Sequence, residues 1–456
     1  MNAQYYDVVI IGAGPAGIMA AKLLHSNGIK PLIISENIGG NYCFSGSVVS
    51  NTLLHISSVY EAFIKDFSRF VNNFNINNLS AIDYEKIKKY VETTSQRISK
   101  YIGDELEDKA DFLSGRATFI DSHALQIAFP KGKEQMVNFK KAIIATGSKP
   151  KIFETPNNVK LLRPENILSM GGLPKSIAII GGGFVGCEYA VFFNRLNVQV
   201  SIIERRGRIL THFEEQAVKK VEEQFKKEGI SIYKNRKIMH IDKIGNKSII
   251  FCDGGEQFES EEVLISIGRV PSLSSLKVDN SLISMRNDLP ILNENFTSTN
   301  RDIYIVGDAS GIGMNVAFAI FSAERAVNNI LNKEECPGRF VFPRMLCLNP
   351  DIASVGYDEF EAISEGYNIG VVKYAYSYLK KHIIESAQNG FIKLVYDRYS
   401  GCILGAHIFG RGGSDIISEF TLIMQANITI DKLPNVFFNH PTYAEIIKEF
   451  GQMIVG

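Results

Sequence analysis

Val8 to Ile11 form a short run with no polar position, the pattern of a strand buried on both faces. In "DVVIIGAGPAGIMAAKLLHSNGIKPLIISE" a glycine turn and an amphipathic helix follow, and a second apolar run closes at Ser35. The sequence predicts strand, turn, helix, strand. The same order recurs in "IAIIGGGFVGCEYAVFFNRLNVQVSIIE" (177–204). A third apolar strand, in "TSTNRDIYIVGDASG" (297–311), ends at Gly307-Asp308. That puts a carboxylate at the C-terminal edge of a strand, where open α/β sheets bind ligands.

The glycines give these units their chemistry. Gly12 permits a tight turn, Gly14 lets a pyrophosphate approach the backbone, and Gly17 lets the helix pack on the sheet. Unpaired N–H groups at the helix N-terminus then face the phosphates. Gly181, Gly183 and Gly186 repeat that spacing, and Glu204 follows the second strand. A carboxylate there accepts hydrogen bonds from both ribose hydroxyls of NAD and repels the extra phosphate of NADP. Arg205 and Arg206 come next, either as a solvated pair or as phosphate ligands. NADH is favoured and NADPH stays open.

Length and charge narrow the class further. A chain of 456 residues suits two to four domains. The formal net charge of zero speaks against a polyanion partner such as nucleic acid. The longest apolar stretch, "VVIIGAGPAGIMAAKLL", is short for a membrane span and broken by Gly and Pro, and no basic leader precedes it. Cys43, Cys187, Cys252, Cys336, Cys347 and Cys402 contain no CxxC and no zinc spacing. Scattered thiols of this kind lead us to expect a reducing cytoplasm.

Further segments complete a family pattern: "AIIATGSKP" (142–150), "LISIGRVPS" (264–272), "NPDIASVGYDEFEA" (349–362), "NGFIKLVYDRYSGCILGAHIFG" (389–410) and "FNHPTYAE" (438–445). In this order the chain resembles the pyridine nucleotide–disulfide oxidoreductases, in the dihydrolipoamide dehydrogenase and soluble transhydrogenase branch. The resemblance implies an α/β fold with two Rossmann-like dinucleotide-binding domains and a C-terminal α+β dimerisation domain. The implied division is an FAD domain at 1–150 and 273–335, an NAD(P) domain at 151–272, and the dimerisation domain at 336–456. It also implies a homodimer whose active sites are completed by the partner's C-terminus. FAD would rest on Gly12, Gly14, Gly17, Gly40, Thr146, Gly147, Gly307 and Asp308, with Glu36 in the ribose role because Ser35 stands where the family has an acid. NAD would rest on Gly181, Gly183, Gly186, Glu204 and Gly268.

The stretch "GGNYCFSGSVVSNTLLH" (39–55) departs from that family. Against the pattern GGTCxNxGCxPSK, Tyr42 and Ser47 stand at the two cysteines, Val49 at the proline and Asn51 at the lysine. Cys43 is one place off, which turns a helical side chain by about 100°. It reads as a small, packed, inert thiol. The family's lysine pairs with the glutamate aligned with Glu188, so here that carboxyl is expected to take up a proton or find another donor, with Asn51 as a neutral one. Loss of the cation is also expected to lower the flavin's reduction potential. His440 and Glu445 match the family's acid–base dyad, and serve either proton transfer or the dimer interface.

Three functions follow from these expectations. The first is an FAD-dependent NAD(P)H oxidoreductase that serves a non-disulfide acceptor: a quinone, a nicotinamide or another small molecule. The second is a catalytically silent FAD-binding paralogue. The third, dihydrolipoyl dehydrogenase, needs a different alignment of 39–55.

Overall fold

Both predicted strand–turn–helix–strand units form. The computed structural model of the chain describes residues 4–71, 82–130, 132–155, 159–333, 340–387 and 389–455. The first unit is β1 (Gln4–Ile11), α1 (Pro15–Ser26) and β2 (Leu32–Ser35). After it come three helices, α2 (Gly40–Phe44), α3 (Ser47–Lys65) and α4 (Tyr84–Leu106), then β3 (Asp111–Ser114), β4 (Arg116–Asp121), β5 (Ala124–Ala128) and β6 (Glu134–Ile144). The sheet runs β3-β2-β1-β6-β5-β4. The long β6 does two jobs: its first half pairs antiparallel with β5, and its second half pairs parallel with Ile303–Ile305 from much later in the chain. The register Ile303↔Ala142 to Ile305↔Ile144 brings Gly307 and Asp308 to the same sheet edge as Gly12.

A short strand, β7 (Ser148–Pro150), leads out to the second unit: β8 (Ser176–Ile180), α5 (Phe184–Arg195) and β9 (Gln199–Ile203). Helix α6 (Glu215–Lys227) and β10 (Ser231–Tyr233) continue it. A meander of β11 (Ile238–Ile244), β12 (Lys247–Cys252) and β13 (Gln257–Ser260) precedes β14 (Glu262–Ile265). The parallel order is β10-β9-β8-β14. Then β15 (Arg269–Pro271) returns antiparallel to β7, and a small hairpin of β16 (Met285–Arg286) and β17 (Leu289–Pro290) leads to β18 (Ile303–Ile305). Helix α7 (Val316–Ile330) packs on α1.

The last layer is an antiparallel sheet of β19 (Arg344–Leu346), β20 (Ile352–Gly356), β21 (Ile369–Ala375), β22 (Phe391–Asp397) and β23 (Ile403–Phe409), ordered β19-β20-β23-β22-β21. Between these strands lie α8 (Glu359–Ser364) and α9 (Lys380–Ile384), and α10 (Gly413–Gln425) and α11 (Ile446–Val455) end the chain. The sides of α3 divide by helical phase. Val49, Leu53 and Leu54 are buried in a core shared with α5, whereas Asn51 and His55 are exposed. Glu61, on the buried side, accepts from Arg195 of α5 at 2.8 Å and from Asn349, ahead of β20, at 3.3 Å. One carboxylate thus ties three layers together.

No described helix is long and apolar enough to cross a membrane. Among the described residues no group of three or more His, Cys, Asp or Glu is arranged to hold a metal ion.

Candidate active site

Gly12 and Gly14 differ in what a side chain would meet. Gly12 has φ +109°, and a Cβ there would lie 2.3 Å from the Ala145 carbonyl oxygen. A Cβ on Gly17 would lie 2.0 Å from the Gly12 oxygen. These two make the turn and its packing possible. Gly14 faces open space, and a Cβ on Gly40 would come no nearer than 3.7 Å to it. Gly14 and Gly40 thus lie against each other at the N-terminus of α1, and the open side of Gly14 exposes bare backbone there. Thr146 stands beside it with its Oγ1 buried and without a protein partner. An open cradle, a helix N-terminus and an orphaned hydroxyl fit the pyrophosphate of FAD.

Asp308 follows β18 at the same edge. It accepts from Ser148 Oγ at 2.6 Å, and Arg269 Nε donates to that hydroxyl at 2.8 Å. Arg269 also donates to the Ser148 carbonyl and pairs with Glu165 at 2.5 Å. Burial pushes the Asp308 carboxyl up from its ordinary value, against the Ser148 hydrogen bond and the nearby Arg269 charge. Ser148, Arg269 and Glu165 were not singled out from sequence, although the first two lie in the quoted motifs. Gly147 and Gly268 cap the two crossing strands through backbone bonds to Ser272 and Lys151. Gly307 donates to Ser322 Oγ at 2.8 Å. Glu36 is more than half exposed just past β2 and is ion-paired with Arg116 at 2.9 Å.

The second turn repeats the first. A Cβ on Gly181 would lie 2.5 Å from the Ser266 oxygen, a Cβ on Gly186 2.0 Å from the Gly181 oxygen, and Gly183 faces open space. Glu204 braces this turn, accepting from the Gly182 N–H at 2.7 Å and the Arg206 N–H at 2.8 Å. Arg206 is spent locally, with Nη1 on Thr211 Oγ1 at 2.7 Å. Arg205 is exposed.

Asn51 does not reach Glu188. Its Nδ2 donates to the Ser47 carbonyl at 2.8 Å on its own helix, and the donor to Glu188 is the Ser50 hydroxyl. One residue of helical phase decides this, because Ser50 lies on the buried side of α3 and Asn51 on the open side. Burial pushes Glu188 up to about 7, only partly offset by Ser50. Of the two routes expected of it, the carboxyl has found another donor, and its burial also favours a proton. From its ordinary 4.5, this acid holds a proton when folded that it releases when unfolded. Stability is then expected to fall as pH rises between about 4.5 and 7, and to level off above. Glu188→Gln is expected to remove that fall, worth on the order of 2–3 kcal/mol. Thermal melts of the apoprotein across that range check it.

Cys43 is fully buried, its Sγ directly behind Gly39, and burial pushes its thiol up to about 11. It is a free cysteine, as are Cys187, Cys252, Cys347 and Cys402. Cys336 lies outside the described residues. Tyr42 and Ser47 instead line one groove of about 400 Å³.

His440 and Glu445 meet as expected. His440 Nδ1 lies 2.8 Å from Glu445 Oε1, and the Thr442 N–H donates to Oε2 at 2.9 Å. Burial works to raise the Glu445 carboxyl, but these bonds outweigh it and hold the group below its ordinary value. Nδ1 is thus committed, leaving Nε2 for an outside group. The other histidines are structural or exposed: His407 is buried between Ser354 Oγ and the Tyr357 carbonyl.

Two dinucleotide turns, each between parallel strands and each with a carboxylate nearby, define a flavin-dependent pyridine nucleotide oxidoreductase. The family model for pyridine nucleotide-disulphide oxidoreductases matches residues 6–323, and that for their dimerisation domain matches 342–450. The chain belongs to this family. Dihydrolipoyl dehydrogenase of Mycoplasma pneumoniae is 29% identical, over 97% of both chains. Among solved structures, LpdA of Mycobacterium tuberculosis superposes with a TM-score of 0.91 at 20% identity, covering 99% of this chain and 100% of the other. A Cu(II) complex of the HOCl-induced flavoprotein disulfide reductase RclA of Escherichia coli does so with 0.87 at 22%, covering 100% of both.

Proposed function

We propose that this FAD-dependent oxidoreductase takes a hydride from NADH and delivers two electrons to an acceptor that is not a disulfide. The observation that carries this reading is the pairing of Tyr42 and Ser47 on one groove, while the neighbouring thiol, Cys43, is buried and held up at about 11. A thiol so rarely ionised is a poor nucleophile and has no partner sulfur in the stretch. Bound FAD supplies two-electron transfer between nicotinamide and acceptor; the chain binds, orients and keeps water out. Gly12, Gly14, Gly17, Gly40, Thr146, Gly147, Gly307 and Asp308 hold FAD, with Glu36 toward its ribose. Gly181, Gly183, Gly186, Glu204 and Gly268 hold NADH.

The division at 150, 272 and 335 into two FAD segments, an NAD segment and a dimerisation segment is part of this proposal. So are a homodimer and a reducing cytoplasmic setting. His440, oriented by Glu445, carries a proton at Nε2. Glu204, poised at the second turn, favours NADH over NADPH. Glu204→Ala is expected to raise KM for NADH about 10-fold and to narrow the gap to NADPH. Steady-state kinetics with both nucleotides measure this.

Anaerobic titration of the purified yellow protein with NADH is the decisive experiment. Bleaching of the flavin after one equivalent, without a long-wavelength thiolate–flavin band, is the expected result. A flavin that stays oxidised through many equivalents would favour the silent paralogue. Oxidation of dihydrolipoamide at enzyme-like rates would instead assign the activity named for the curated relatives.

A further inference from the structure

We infer that Tyr443 is the positioning residue of the His440–Glu445 dyad: its ring stacks on the buried Tyr376 and its hydroxyl bonds to Glu385, and together these hold the loop that aims His440. This deepens the proposed function and rests on its reading of His440 as a proton carrier. Between Leu433 and Ile446 no residue is buried, and the dyad lies in that stretch, with His440 exposed. Two of its side chains, Phe438 and Tyr443, pack partly buried on the core of the dimerisation layer. Tyr443 lies between the two dyad members, three positions after His440 and two before Glu445.

Three separate segments converge on this one side chain. Its ring stacks on Tyr376, in the turn after β21, with centroids 5.3 Å apart and planes 23° from parallel. Tyr376 is fully buried. The Tyr443 hydroxyl donates to Glu385 Oε2 at 3.1 Å, at the C-terminus of α9. Beside the β23–α10 turn, a Cβ on Gly412 would lie 3.4 Å from the same ring. Glu385 is itself held by Arg411 at 3.0 Å and Lys381 at 2.9 Å. Burial works to raise its carboxyl, but these partners keep it below its ordinary value, so it is an ionised acceptor. Burial and the facing Glu385 push the Tyr443 phenol up, so it keeps its proton and donates.

An exposed irregular stretch loses conformational freedom when ordered, and a stacked ring with a charge-assisted hydrogen bond offsets that loss. Thr442, next to Tyr443, donates its N–H to Glu445 Oε2, and the other oxygen of Glu445 meets His440 Nδ1. Pinning Tyr443 therefore fixes the backbone that sets both bonds, and with them the direction of Nε2.

The test uses the FAD-loaded protein, NADH and two acceptors. Dichlorophenolindophenol takes two electrons and two protons: the hydride brings the electron pair and one proton, and His440 passes on the second, regained from solvent. Ferricyanide takes one electron per molecule and no proton, so two are reduced and the hydride's proton is released. We expect Tyr443→Leu to lower kcat with the dye about 10-fold, with KM for NADH and kcat with ferricyanide each within about 2-fold. Tyr443→Phe keeps the ring and should lose only about 3-fold with the dye. Exchange of the Thr442 amide with deuterium should quicken about 10-fold in Tyr443→Leu. An equal fall with both acceptors would mark Tyr443 as a general support of the fold and overturn the inference, as would no fall with either. Should Tyr443→Leu not fold, Tyr443→Phe carries the same comparison: a dye-selective loss supports the inference and its absence overturns it. If NADH fails to bleach the flavin, or His440→Asn leaves dye reduction untouched, the parent reading fails instead. Deuterium exchange then decides the positioning by itself: a faster Thr442 amide supports it, and an unchanged one overturns it.

Discussion

Gly14→Ala is expected to leave the melting temperature of the apoprotein within about 2 °C of the unsubstituted chain while weakening FAD binding at least about 100-fold. The position faces open space with ordinary extended backbone, so the added methyl meets no protein atom. What it fills is the open space beside Gly14 at the N-terminus of α1, where a pyrophosphate would approach the backbone. Gly12→Ala should lose both properties. Its methyl would enter the Ala145 carbonyl at a backbone angle that L-residues rarely adopt, so the turn itself must open. Flavin content on purification, FAD titration and thermal melts of the apoprotein separate the two cases. Equal melting losses in both variants would show that the cradle is a structural turn and nothing more.

Lys393→Met is expected to cost about 3–5 kcal/mol of stability, among the largest effects of any single substitution outside the turns. Lys393 sits on β22, 2% exposed, donating to Glu214 at 2.6 Å and Glu359 at 2.7 Å. Glu214 in turn caps α6 by accepting from the Ala217 N–H. Removing the ammonium leaves a buried carboxylate beside a helix end without its hydrogen-bonded cation. Burial works to raise Glu214, yet its hydrogen bonds from Lys393 and the backbone hold it below its ordinary 4.5. The stability it adds is therefore present above about 4.5 and lost as pH falls through the lower folded value. The Met variant should lack that acid-side loss. Adding Glu214→Gln should restore a large part of the deficit, because no unpaired buried charge then remains and the Glu359 carboxylate is solvated. Urea unfolding at two pH values tests both statements.

The repeated turns were legible in the sequence because their chemistry is local: three glycines at fixed spacing between two apolar runs define a turn, a helix start and a strand edge together. The dyad of His440 and Glu445 was legible for the same reason, with five positions and a turn between them. What escaped depends on helical phase or distance. Asn51 was the expected neighbour of Glu188, but α3 starts at Ser47, and this phase sends Ser50 inward and Asn51 to the groove. Tyr90 and Thr94 reach the groove from a helix more than forty residues later, with no motif around them. The Ser148–Asp308 contact joins residues 160 apart, and Lys393 meets Glu214 across 179. Only the folded sheets bring such pairs together.

The sealed position of Cys43 has a pharmacological corollary. With its thiol held near 11, on the order of one molecule in 10⁴ carries the thiolate at neutral pH. Trivalent arsenicals grip two adjacent sulfurs, and alkylating drugs hunt for an ionised one; on the proposed reading, the 39–55 stretch offers neither. On that proposed reading, a cell holding this enzyme is expected to keep one flavin-driven outlet for reduced nicotinamide open while thiol poisons silence the dithiol members of the same family.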